Sequence, residues 1–106
     1  MISKRMRTLV EDEGWGIGKP DSSGYADIGQ YSPCGEDFSF GADITDNECF
    51  KRSVYNYVSN FDPDEHAAMW YGANRGEPSS MRMLLDDADE ILAMLERLYD
   101  RIKEVN

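Results

Sequence analysis

Long apolar runs are missing from this chain. Nowhere do roughly 18 apolar residues follow one another, so no membrane-spanning helix is expected. Histidine is nearly absent: with His66 alone, zinc sites built from several histidines and catalytic dyads that need two imidazoles are excluded within one chain. Cysteine is scarce as well. Cys34 and Cys49 lack Cys-x-x-Cys partners and are too few for a disulfide scaffold, so both are expected as reduced thiols, with a single Cys34 to Cys49 bridge as the alternative. The opening Met1-Ile2-Ser3-Lys4-Arg5-Met6-Arg7 is not followed by the apolar stretch of a secretory signal. Together these absences point to a cytoplasmic protein.

Positive charge is the remaining deficit. Against 21 acidic residues stand 11 Lys and Arg, giving a formal charge of −10, and residues 11 to 50 hold ten acids but one base, Lys19. A field of this sign repels nucleic acid and anionic membrane, so neither is an expected direct partner; it favours a protein partner with a basic surface, whose encounter it accelerates. Solubility alone is the blander account of the same charge.

Enough apolar material is present for a core: 41% of the 106 residues are hydrophobic and 11% aromatic. A chain of this length fits one domain that buries somewhat over roughly 60% of its unfolded surface. The expected fold class is α+β, a small antiparallel β-meander of about three strands over residues 14 to 44 followed by two or three helices, the last long and amphipathic. Phe38, Phe40, Ala42 and Ile44 fall at period two between polar residues, which predicts a strand with one apolar face. Tyr25 to Tyr31 is a second strand, joined through Ser32-Pro33-Cys34-Gly35-Glu36, and the segment around Trp15 and Ile17 is a third, before a turn at Lys19 to Gly24. The first 13 residues are ambiguous, because Met6, Leu9 and Val10 suit helix or strand.

Helical periodicity starts at Thr45, whose spacing to Glu48 is that of a capping box, and Phe50, Val54, Tyr57, Val58 and Phe61 form one apolar face. Asp62-Pro63-Asp64-Glu65 signals a second helix start, with a stop at Asn74 to Pro78. From about Ser79 to Glu104, Leu84, Ala88, Ile91, Leu95, Leu98, Ile102 and Val105 recur at steps of four and three, and Leu85, Leu92 and Tyr99 widen the stripe. Such a stripe packs against its own sheet and neighbours or serves a homodimer through the C-terminal helix.

Candidate chemistry is sparse. Asp62, Asp64, Glu65 and His66 are the one metal-like grouping, but they lack the calcium-loop pattern and are explained by the helix start. Gly14-Trp15-Gly16-Ile17-Gly18 matches neither phosphate-loop fingerprint. Both thiols lie beside acids, which disfavours a nucleophile. No catalytic residue, metal or cofactor is therefore assigned. Asp86, Asp87, Asp89 and Glu90 fall on the polar side of the last helix and are expected in solvent. With Asp37 and Asp43 on the sheet, Asp86, Asp87 and Glu90 are the candidates for an acidic interaction face. Trp70 and Tyr71 are adjacent on a short helix, so one should enter the core and the other stay exposed as an interface anchor.

The stretches Glu36-Asp37-Phe38-Ser39-Phe40, Asn60-Phe61-Asp62-Pro63-Asp64-Glu65-His66 and Arg75-Gly76-Glu77-Pro78-Ser79-Ser80, with the acidic start of the last helix, resemble small acidic proteins of uncharacterised function in Firmicutes, carried on phages and conjugative elements. The resemblance covers about residues 30 to 100. It implies a mobile-element context and brings no catalytic residues. The expected function is a non-enzymatic acidic interaction protein, an inhibitor of a nucleic-acid-binding host defence protein of anti-CRISPR or anti-restriction type. The alternatives are an accessory protein dimerising through its last helix and a metal-binding enzyme around His66.

Overall fold

In a computed structural model, residues 1–73 and 80–106 are described. The element order is α1 (Lys4–Asp12), β1 (Gly16–Ile17), β2 (Tyr25–Tyr31), β3 (Asp37–Asp43), α2 (Asn47–Asn60), α3 (Pro63–Ala73) and α4 (Met81–Ile102). This is the expected α+β arrangement, with one more helix than the ambiguous amino-terminal segment allowed to be assigned. Ser3 decides that segment. Its hydroxyl accepts from the Met6 amide at 3.1 Å, capping α1, and Met6 and Val10 then turn one helical face into the core. Gly14 ends the helix at φ 91°, a conformation that favours glycine, and a Cβ there would lie 2.9 Å from Gln30 Oε1.

The sheet is an antiparallel meander in the order β1-β2-β3. Gly16 and Ile17 pair with Gly29 and Ile28, and the β2–β3 register runs from Tyr25 opposite Asp43 to Tyr31 opposite Asp37. Period-two alternation sorts the faces: Ala26, Ile28, Phe38, Phe40 and Ala42 point inward, while Tyr25, Asp27, Tyr31, Asp37, Ser39 and Gly41 stand in solvent. Trp15 lies roughly perpendicular to Phe38 and Phe40, at 6.1 and 5.7 Å between ring centres, and closes one end of the buried face.

Asp46, not Thr45, caps α2. Its carboxylate accepts from the Cys49 amide at 2.8 Å, while Thr45 instead donates its own amide to Asp43 at 2.9 Å. The cap thereby moves by one residue and the expected Thr45–Glu48 capping box does not form, because an aspartate in extended conformation immediately before the helix outcompetes the preceding threonine. At α3 the anticipated acidic cap is present: Asp62 Oδ1 accepts from the amides of Asp64 and Glu65 at 3.0 and 3.3 Å. The expected break at Asn74 to Pro78 lies outside the described residues. Helix α4 begins after Ser80, whose hydroxyl accepts from the Met83 amide.

All seven residues of the α4 stripe and its extension, Leu84, Ala88, Ile91, Leu95, Leu98, Ile102 and Val105, are buried. From Ile91 onward they join α1, the sheet and α2 in one core, while Leu84 and Ala88 meet Ala67 and Trp70 in a smaller cluster under α3. The stripe is thus filled by intramolecular packing. Both thiols are free, so the alternative bridge does not form.

Candidate functional site

The five-residue loop from Ser32 to Glu36 joins β2 to β3 and is held by polar contacts both within itself and to two helices. Internally it is held by Ser32 N–H donating to Glu36 O at 2.8 Å and Gly35 N–H donating to Ser32 O at 2.9 Å. Externally, Asp87 on α4 accepts from the Ser32 hydroxyl at 2.6 Å and from the Cys34 amide at 2.8 Å. Glu36, the last loop residue, reaches α3, where its carboxylate oxygens lie 2.8 and 3.0 Å from His66 Nε2. One loop is therefore fastened to two helices through two carboxylates.

Asp87 corrects an expectation. Expected on the solvated acidic face, it is instead 5% exposed and serves as an internal acceptor. The signal was in the sequence: position 87 lies three after Leu84 and four before Ile91, on the helical face that the stripe buries. Its acidic neighbours behave as expected. Asp86, Asp89 and Glu90 are exposed around a cleft of about 620 Å³ whose remaining walls are Pro33, Cys34 and Met83, with buried Asp87 in its floor.

The loop also brings α4's acids to the sheet. Asp37 follows Glu36 directly and is paired with exposed Tyr31, so the outer sheet face at this end carries Tyr31 and Asp37, while Asp27, opposite Gly41, lies toward the other end of the hairpin. Asp37, Asp86 and Glu90 thus share one end of the molecule. Asp43 does not join them. It stands at the far end of β3, about 20 Å from Asp37 at the usual rise per residue, and its carboxylate is engaged by Thr45. That hydrogen bonding, from the Thr45 side chain and then its amide, holds Asp43 below the usual carboxylate range.

His66 is the second focus. Its ring meets Phe38 edge-on at 5.5 Å and Phe61 at a tilt at 5.3 Å, and its Nε2 faces Glu36 rather than Asp62, Asp64 or Glu65. The metal-like grouping is thereby taken apart: Asp62 caps α3 while His66 turns toward the loop. Among the described residues, no three His, Cys, Asp or Glu side chains converge as metal ligands. Neighbouring Tyr57 is pushed above the ordinary phenol range by burial and then by the Glu36 charge. The Glu36–His66 contact spans 30 residues, and no local sequence pattern announces it.

Trp70 and Tyr71 divide as expected. Trp70 packs partly buried against Ala67, Leu84 and Ala88, and Tyr71 is exposed. Cys49 sits beside Asp46 and Asp43. The hydrogen bond to Asp46, followed by burial and the two negative charges, raises its thiol above the ordinary range, opposite to what a nucleophile requires. Among the described residues no helix is long and apolar enough to cross a membrane. No protein-family model, curated protein or solved structure matches the chain.

Proposed function

We propose that this is a non-enzymatic acidic docking protein that covers a basic, nucleic-acid-binding surface of a protein partner. In the mobile-element setting that the resemblance implies, that role is an inhibitor of a host defence protein of anti-CRISPR or anti-restriction type. The observation that carries the reading is the continuity of negative charge around the β2–β3 loop: Asp37 on the open sheet face, then Asp86, Asp89 and Glu90 beside the loop. No Lys or Arg occurs between Lys19 and Lys51, so neither β2 nor β3 interrupts that field. Exposed Tyr31 supplies an amphipathic contact within it.

Charge density limits the mimicry. The longest extent is 42 Å, and a duplex of that length carries about 25 phosphates at one per roughly 1.7 Å. A net charge of −10 supplies less than half of that, so the protein imitates one stretch of backbone rather than a full duplex. Burial of the α4 stripe inside the monomer argues against the alternative of a dimer seam along that helix. The pairing of His66 Nε2 with Glu36, and the lack of three converging ligands among the described residues, argue against the metal-enzyme alternative.

Capture from host lysate tests the proposal when added duplex DNA is used as competitor. The expected result is retention of nucleic-acid-binding proteins that duplex DNA displaces and that salt weakens. Retained proteins that neither bind nucleic acid nor respond to the competitor would contradict it.

A further inference from the structure

Resting on the docking reading above, we propose that the cleft between α2 and α3 receives a lysine or arginine side chain of the basic partner. Its walls are Tyr57 and Phe61 from α2 and its end, and His66 and Met69 from α3; Asp62 and Glu65 stand on the rim. The cleft measures about 200 Å³, below the roughly 300–1,000 Å³ of pockets for drug-sized ligands and suited to one long side chain.

Its chemistry selects a cation that carries its own hydrocarbon stem. Phe61 lies 6.0 Å from Tyr57 and 5.3 Å from His66 between ring centres, so aromatic surface is concentrated at one spot. Rings attract an ammonium or guanidinium over their faces, and the Met69 side chain, 65% exposed, offers apolar contact to a methylene chain. Asp62 has committed Oδ1 to the α3 amides, and Glu65 is exposed beside it. Glu36, behind His66, adds a third carboxylate close to the imidazole. No Lys or Arg lines the cleft. A bare metal ion is a poor occupant, because no three ligands converge among the described residues and most of the wall is apolar. The cleft is tied to the β2–β3 loop, since Glu36 of that loop holds His66.

His66 is the sole histidine, so its imidazole signal in a proton NMR spectrum is unambiguous, and Met69, three residues further along α3, supplies a methyl signal on the same wall. The full chain is titrated with oligoarginine, with methylguanidinium, and with an uncharged norleucine peptide. Oligoarginine should shift both signals and lose about three- to tenfold in affinity in Glu65→Lys, a rim change that leaves the core untouched; the norleucine peptide should leave the signals in place. Oligoarginine that binds without moving either signal, and equally well to Glu65→Lys and Met69→Ala, would overturn the cleft while sparing the docking reading. Absence of oligoarginine binding altogether would overturn both. Tighter saturation by methylguanidinium than by the peptide would overturn the assignment to a protein side chain.

Discussion

Single carboxylates in this protein have diverged into unlike tasks, and the divergence follows from the donors each one meets. Asp46 accepts from the Cys49 amide and then its thiol, which hold it below the usual carboxylate range. Asp21 is lowered in the same way, by the Ser23 hydroxyl and the Tyr25 and Ser23 amides. Folded pKa values below the unfolded one mean stability that is present above about pH 4 and is lost as pH falls through the folded values. Asp46→Asn keeps an acceptor at the cap but removes its titration, so the thermal midpoint of this variant should fall less steeply between about pH 4 and pH 2 than that of the parent. The same substitution weakens the hydrogen bond, and removes one of the charges, that raise Cys49, and alkylation of that thiol at pH 8, followed by mass spectrometry, should be faster than in the parent. Asp87→Ala leaves the Ser32 hydroxyl and Cys34 amide without their acceptor and should cost about 1–3 kcal/mol in urea unfolding. Of these roles, the burial of Asp87 was legible from its register with Leu84 and Ile91, whereas the Glu36–His66 pair was not, because it depends on how a loop and a helix far apart in sequence meet.

At the level of elements, strong periodicity was sufficient and weak periodicity was not. The α4 stripe and the alternation of Phe38, Phe40 and Ala42 could each be satisfied in only one conformation, and both are buried as the pattern requires. In α1 three apolar residues fit either period, and the deciding contact, Ser3 to the Met6 amide, is a single cap. The start of α2 shifted to Asp46 for a related reason: two adjacent residues can each cap, and backbone geometry chooses between them. Because Leu95 is fully buried in the main core, Leu95→Ala should destabilise by about 2–5 kcal/mol with circular dichroism of the folded state unchanged. A much smaller loss would mean that α4 packs loosely on the sheet.

The whole molecule is an apolar interior shared by α1, the sheet, α2 and α4, enclosed by a surface whose charge is biased toward one loop. Composition disclosed the bias, but not its location, since Asp43 and Asp87 looked equivalent to Asp37 and Asp86 until the hairpin register and the α4 rotation separated them. Position, rather than net charge, is what the docking proposal requires. Two variants separate these: Asp37→Lys, Asp86→Lys and Glu90→Lys together, and Glu11→Lys, Glu96→Lys and Glu104→Lys together, each raising the formal charge of −10 by six. The decisive measurement is the affinity of both for oligoarginine at low ionic strength. The account predicts a loss of about tenfold or more in the first variant and a clearly smaller loss in the second; equal losses in the two would contradict a localised acidic docking face.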